Sequence, residues 1–318
     1  MDNLFMSQMS LFEEDVSLEP KPTGVVGERF LISPFTILDA RSGIWQDRKR
    51  AWLDLGIKSE VGRDAKCYHN VDWVAEHITG SKPINGAGTS VFDPVLCELA
   101  YRWFCPSGGQ IVDPFAGGSV RGIVASYFGL KYWGCDLRAE QIHANNEQAV
   151  ELKADPVPVW VCGDSMETLE NAPQSDFVFS CPPYGDLEVY SDDPRDLSNM
   201  EWFTFEAAYK RIILRAVKTM KLNTFACFVV GDIRDKKGFY RNLVSLTIHA
   251  FEDAGAKLYN EAILATAVGN ASLRVTKQFV SGRKLCKVHQ NVLVFCKGDW
   301  RIASANARKP GEDVTGDE

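Results

Sequence analysis

Short apolar runs alternate with amphipathic stretches through most of the chain. The runs lie at residues 111–112, 132–135, 157–161, 176–179 and 224–230. The longest amphipathic stretch, 202–220, brings four apolar side chains to one face at helical spacing: Phe205, Ala208, Ile212 and Val217. Asp93 followed by Pro94 is typical of a helix start, and we expect another helix there. Because strands that alternate with helices assemble into parallel sheets, the pattern predicts an α/β fold.

The end of the pattern differs from the rest. Two apolar runs, 259–264 and 291–298, are predicted to form a final antiparallel pair. The segment between them, residues 272–290, is long for a hairpin connection and contains no acidic residue. Its cations predict contact with a phosphate backbone. The alternative is a flexible solvated loop. The cations are Arg274, Lys277, Arg283, Lys284 and Lys287.

The composition of the two ends suggests a division of the chain. We expect residues 1–23 to be a disordered leader, 24–84 a small cap, 85–300 the main domain and 301–318 a disordered tail. Within the cap, cations surround Trp45 and Trp52. Either the cations and the tryptophans bind a nucleic acid, or the tryptophans pack inward while the cations form a solvated helix face.

Charge and cysteine content narrow the possible classes of protein. The net charge of −7 excludes a basic field over the whole surface, so any nucleic-acid contact must come from local patches. Nine cysteines without a CxxC pair argue against a disulfide framework and a structural zinc site and favour a reducing cytoplasm. No apolar run approaches the ~20 residues of a membrane span, and the start shows no signal peptide.

Acidic residues follow three predicted strands in succession. Asp113 precedes the glycine-containing turn 114–119, Asp136 lies about 20 residues beyond that turn, and Asp164 ends the third strand. Asp136 is placed to accept hydrogen bonds from ribose hydroxyls. The turn lacks the GxGxxG spacing of dinucleotide-binding loops, and Asp113 would repel a pyrophosphate but suits an ammonium group. The residues therefore favour S-adenosylmethionine over a dinucleotide.

A second motif follows the strand at 176–179. It reads Ser180-Cys181-Pro182-Pro183-Tyr184. Together with the turn at 113–119, it resembles the cofactor and catalytic loops of the S-adenosylmethionine-dependent DNA amino-methyltransferases. The resemblance covers residues 85–300 and implies a Rossmann-like methyltransferase sheet, mostly parallel with an antiparallel final strand and with helices on both faces.

The resemblance also implies roles for individual residues. The catalytic loop would accept hydrogen bonds from the amino group of a flipped adenine or cytosine, and Tyr184 would stack on that base. Asp164 would bond the adenine of the cofactor. The residues implied in cofactor binding are Ser90, Phe92, Asp113, Phe115, Gly117, Gly118, Asp136, Asp164 and Ser165.

Cys181 departs from the family pattern, which has Asp, Asn or Ser before the two prolines. A neutral thiol is a poor hydrogen-bond acceptor, so Ser180 or the backbone would have to contribute. The alternatives are an RNA or protein amino-methyltransferase, cytosine-C5 methylation through Cys181, and a nucleic-acid-binding module without activity. The main interpretation is a stand-alone methylase of the phage or prophage type, acting on DNA in the cytoplasm without a metal; target base and oligomeric state stay open.

Overall fold

The computed structural model describes residues 30–58, 92–185, 190–268 and 271–309, apart from the side chains of 271–274. The chain divides into two units, Met1–Pro34 and Phe35–Glu318. All the elements below belong to the second unit. The predicted leader, residues 1–23, lies outside the described residues.

One sheet organises the second unit. Its eight strands are β1 (Ile37–Asp39), β2 (Gln110–Asp113), β3 (Lys131–Asp136), β4 (Val159–Cys162), β5 (Ser175–Ser180), β6 (Met220–Val230), β7 (Lys257–Ala265) and β8 (His289–Lys297). The helices of the described residues are α1 (Gly43–Asp54), α2 (Pro94–Phe104), α3 (Val120–Tyr127), α4 (Ala139–Glu151), α5 (Ser165–Thr168), α6 (Trp202–Thr219), α7 (Leu243–Asp253), α8 (Ala271–Gly282) and α9 (Trp300–Asn306).

The strand order is β1-β7-β8-β6-β5-β2-β3-β4. Strand β8 is antiparallel to both of its neighbours, and every other pair is parallel. This confirms the predicted Rossmann-like sheet, mostly parallel with an antiparallel final strand. The order reverses between β2 and β5, and in open sheets of this kind ligands bind beside the carboxyl ends of the strands at such a point.

The predicted helix starts and faces are also confirmed. Asp93 caps α2 by accepting a hydrogen bond from the backbone N–H of Val95, with Pro94 at the first helical position. Helix α6 buries Phe205, Ile212 and the rest of its predicted apolar face. Its contacts with β2, β5 and β6 form much of the main core.

The region predicted to be a small cap belongs in part to the main sheet. Strand β1 pairs with β7, which extends the sheet by one strand. Helix α1 packs on α2, where Glu98 accepts hydrogen bonds from Arg48 and from the indole of Trp52. Trp45 and Trp52 are fully buried, so of the two interpretations of these tryptophans, inward packing is correct. Residues 59–84 lie outside the described ranges.

The predicted disordered tail is helical at its start. Asp299 caps α9 by accepting a hydrogen bond from the N–H of Arg301, and Ala303 is buried. The sequence missed this helix because its seven residues are too few to show a clear period. Residues 310–318 lie outside the described part. Within the described ranges, no helix is long and apolar enough to cross a membrane.

Gly122 lets α3 approach β4 closely. A Cβ atom at this position would overlap the indole ring of Trp160. We expect Gly122→Ala to lower the free energy of unfolding by about 1–3 kcal/mol, because the overlap outweighs the better helix propensity of alanine. Urea denaturation measures this. Gly43→Ala is the control, since a Cβ there meets nothing within 4 Å; equal stability of both variants would contradict the prediction.

Candidate active site

A cavity of about 820 Å³ brings the two sequence motifs together. Its volume lies in the range of small-molecule sites. It is lined by residues from the glycine turn, from the ends of β3 and β4, and from the loop after β5. The predicted site residues in its wall are Phe92, Phe115, Gly117, Gly118, Asp136, Asp164, Ser165, Cys181, Pro182, Pro183 and Tyr184.

Asp113 does not line this cavity. Its side chain is completely buried, and both carboxylate oxygens are occupied. Oδ1 accepts hydrogen bonds from the hydroxyl of Ser180 at 2.5 Å and the N–H of Phe115 at 3.1 Å. Oδ2 accepts from Nε of Arg121 at 2.6 Å and the hydroxyl of Tyr132 at 2.7 Å. The structure therefore places Asp113 behind the cavity wall, where its carboxylate joins β2, β3, β5 and the turn.

Ser180 is withdrawn from the cavity in the same way. It is the last residue of β5, fully buried, and its hydroxyl donates to Asp113. Cys181 is the next residue and lines the cavity. Of these two predicted catalytic side chains, only that of Cys181 lines the cavity.

Arg121 is the residue that the sequence analysis missed. It lies in α3, only 5% exposed, and its Nη2 donates to the carbonyl oxygens of Phe115 and Ala116. Burial by itself would lower the pKa of Arg121, but the carboxylate of Asp113 more than offsets this and raises it. The charged guanidinium thus holds the glycine turn, residues 114–119, in its shape. No sequence signal pointed to it, because an arginine early in a helix is normally solvated.

Asp136 and Asp164 present carboxylates to the cavity. Asp136 accepts hydrogen bonds from the N–H groups of Gly117 at 3.0 Å and Arg138 at 2.9 Å, and burial raises its pKa. Asp164 uses Oδ1 to cap α5 by accepting from the N–H of Met166 at 2.8 Å. Within the described residues no hydrogen bond reaches its Oδ2. Asp164 is therefore both a helix cap and an available acceptor.

The residues predicted to bind the cofactor also include Ser165, Phe92 and Ser90. Ser165 is the first residue of α5, and its hydroxyl donates a hydrogen bond to the carbonyl oxygen of Pro114 at 2.5 Å. It thereby supports the glycine turn. Phe92 lines the cavity and packs edge-to-face on Phe179 with ring centroids 5.6 Å apart. Ser90 lies outside the described residues.

Both the hydroxyl and the ring of Tyr184 contact neighbouring residues. Its hydroxyl accepts a hydrogen bond from Nε2 of Gln290 at 2.8 Å and donates to the carbonyl of Val229 at 3.4 Å. Its ring lies against Gly231, where a Cβ would stand 3.4 Å from the ring. Burial and the neighbouring Cys181 raise the pKa of Tyr184, so the phenol is neutral. Gln290, on β8, was not predicted; only the antiparallel pairing of β8 brings it here.

The basic segment contains helix α8 instead of an irregular loop. Lys277, Arg283 and Lys284 are exposed, and Lys287 is partly buried in the cavity wall, where burial lowers its pKa. None of these four forms an ion pair with a carboxylate of the described residues. The side chain of Arg274 lies outside the described part. Their contact with a nucleic acid stays a prediction.

A metal site is not found among the described residues. The structure there contains no cluster of three or more His, Cys, Asp or Glu side chains that could hold an ion. The free cysteines of this part of the chain are dispersed, and several are buried.

Comparison with known proteins gives similarity only at the level of structure. No family model matches the chain, and no curated protein sequence matches it at a significant level. TrmN from Thermus thermophilus is 14% identical over 64% of this chain and 48% of its own length, with a TM-score of 0.44. A candidate RNA methyltransferase from Pyrococcus horikoshii is 15% identical over 64% of this chain and 82% of its own length, with a TM-score of 0.43.

A candidate DNA modification methylase from Thermus thermophilus is also similar. It is 16% identical over 43% of this chain and 51% of its own length, with a TM-score of 0.32. The chain thus spans about half the length of this structure and of TrmN. At these identities the similarity is one of fold only.

Proposed function

We propose that this protein is an S-adenosylmethionine-dependent methyltransferase that methylates an exocyclic amino nitrogen of adenine or cytosine in DNA. One observation carries the proposal. The glycine turn with Asp136 and Asp164 shares a single cavity with the loop of residues 181–184. A methyl donor and an acceptor base bound by these two groups would meet in one cavity.

The residues in the wall suit the cofactor. Asp136 would accept hydrogen bonds from ribose hydroxyls, and Oδ2 of Asp164 is an unoccupied acceptor for an adenine amino group. Gly117 and Gly118 allow close approach of the backbone. S-Adenosylmethionine, when bound, supplies the activated methyl group.

The catalytic contribution of the chain would be positioning. Pro182 and Pro183 restrict the backbone, so that its carbonyl groups are fixed acceptors for the target amino group. With Ser180 buried against Asp113 and a thiol at Cys181, these carbonyls would take a larger share than a side chain. The ring of Tyr184, supported by Gly231, would stack on the base.

DNA is proposed as the substrate because of the charge beside the cavity. Lys287 lies in the cavity wall, and exposed Lys277, Arg283 and Lys284 precede it in an acid-free segment. Cations without a carboxylate partner among the described residues, next to a cavity with room for a base, are suited to phosphate contacts. RNA is the competing polymer and is an outcome of the experiment.

A methyl-transfer assay tests the proposal. It measures transfer of labelled methyl groups from S-adenosylmethionine to unmethylated DNA and RNA, and nucleoside mass spectrometry identifies the methylated product. We expect Cys181→Ser to retain amino methylation, with the rate changed by less than about tenfold, because a hydroxyl is at least as good an acceptor as a thiol. The control is Cys162→Ser, which replaces an exposed cysteine outside the cavity wall.

Two results would count against this mechanism. A C5-methylated cytosine that disappears in Cys181→Ser would make Cys181 a nucleophile. Label in RNA or in protein but not in DNA would leave the methyl transfer intact and change the substrate.

A further inference from the structure

Residues 232–241, between β6 and α7, fold into a tight hairpin beside the cavity. Arg234 and Tyr240 form an antiparallel bridge. Asp235 donates its N–H to the carbonyl of Phe239 at 2.8 Å, and Gly238 donates to the carbonyl of Asp235 at 2.9 Å. We call this segment the 232–241 hairpin. Its backbone is paired internally, so its tip has a defined shape.

The hairpin presents positive charge in a protein of net charge −7. Its two carboxylates accept backbone hydrogen bonds: Asp232 from the N–H of Leu243 and Asp235 from the N–H of Phe239, each at 2.9 Å. The bond from Phe239 holds the pKa of Asp235 below its usual range. Lys236 and Lys237 are exposed at the tip and form no ion pair within the described residues.

An aromatic side chain stands exposed next to these lysines. Phe239 is 71% exposed, although its backbone is fixed on both sides by Asp235. The adjacent Tyr240 lies in the cavity wall, with the guanidinium of Arg234 4.0 Å from its ring centroid. The ordered backbone thus presents the phenylalanine ring to solvent beside two lysines and next to the cavity wall.

The hairpin also lies against Lys284, which follows α8 in the basic segment. A Cβ atom at Gly238 would stand 2.6 Å from Nζ of Lys284, which places that ammonium group directly over the turn. Gly238 has a φ of +93°, so the turn itself favours glycine. Lys236, Lys237 and Lys284 thus form one cationic surface at the edge of the cavity.

We propose that the 232–241 hairpin binds nucleic acid, with Lys236 and Lys237 on the phosphates and Phe239 inserted in the base stack next to the target base. The inference rests on the proposed function. Apolar wedges that unstack a base step, flanked by cations, are a recurrent means of opening a duplex. Because the hairpin is already ordered, binding would lose little entropy in fixing it.

The test is fluorescence anisotropy of a labelled DNA duplex of mixed sequence, titrated with the full chain at several salt concentrations. We expect Phe239→Ala to weaken binding about tenfold without changing the salt dependence, because stacking is lost and no phosphate contact is. We expect the double variant Lys236→Gln, Lys237→Gln to lower the slope of log K against log salt by about two, one for each phosphate contact.

Matched controls lie at the amino ends of the strands, whereas the hairpin follows the carboxyl end of β6. Phe35 is 70% exposed just before β1, and Lys131 is exposed at the start of β3. Phe35→Ala and Lys131→Gln should bind as wild type does. Binding by wild type that the hairpin variants leave unchanged would overturn this inference alone. Absence of binding by wild type to the duplex would overturn it together with the proposed DNA substrate.

Discussion

Replacement of Asp113 by asparagine is expected to lower the free energy of unfolding by about 3–5 kcal/mol, because Arg121 would be buried without its counter-charge. The side chain of Arg121 is only 6% exposed and that of Asp113 is completely buried. The same guanidinium holds two carbonyl groups of the glycine turn, so we also expect weaker binding of S-adenosylmethionine. Urea denaturation measures the first effect, and titration calorimetry the second.

The control for Asp113→Asn is an ion pair at the surface. Glu170→Gln removes the partner of Arg215, and Glu170 is 63% exposed, so we expect a far smaller loss of stability than for Asp113→Asn. Adding Arg121→Met to Asp113→Asn should restore part of the stability, because the uncompensated charge is then gone. If Asp113 instead binds the ammonium group of a cofactor, Asp113→Asn will reduce affinity while stability stays near that of Glu170→Gln.

The sheet could be predicted because its strands are local and their signals are strong. Strands β2, β3 and β5 are apolar runs that end in an acid or a turn, and α6 shows its period over 18 residues. Where the local signal was weak, the prediction failed. Strand β1 has three residues and exists because β7 offers it an edge to pair with.

The site could be predicted in its elements but not in the direction of each side chain. Asp113 and Asp136 end strands and Asp164 closely follows one, yet only the last two face the cavity. The difference arises from partners distant in the sequence: Tyr132 and Ser180 on neighbouring strands, and Arg121 from the next helix, surround Asp113. Such a set is fixed by the register of adjacent strands, which no single segment encodes.

The 232–241 hairpin was missed for a related reason. In the sequence it is a polar loop after a strand, and its two adjacent lysines are preceded by two aspartates. Only the folded backbone shows that both carboxylates are occupied while Lys236, Lys237 and Phe239 are exposed. Charge counted along the chain therefore underestimated the positive character of this surface.

Tyr184→Ala is expected to lower kcat/KM for methyl transfer to DNA by about 10–100-fold, because loss of one base–aromatic stack corresponds to about 1–3 kcal/mol. Tyr184→Phe retains the ring against Gly231 and removes only the hydroxyl, which accepts from Gln290 and donates to Val229. We expect it to lose less than about tenfold, because the 3.4 Å bond to Val229 is weak and the loss is mainly that of one neutral hydrogen bond. Steady-state kinetics with labelled cofactor compare the two variants.

The pair of variants separates the ring from the hydroxyl of Tyr184. Tyr259→Ala controls for loss of a tyrosine elsewhere: Tyr259 lies on β7, outside the cavity wall, stacked on Trp300. Equal and large losses in Tyr184→Phe and Tyr184→Ala would assign the effect to the hydroxyl and its bond to Gln290, and would contradict a stacking role. Unchanged kinetics in Tyr184→Ala would mean that the target base does not lie on this ring, because an enzyme that uses it as a platform must bind the base less well once it is removed.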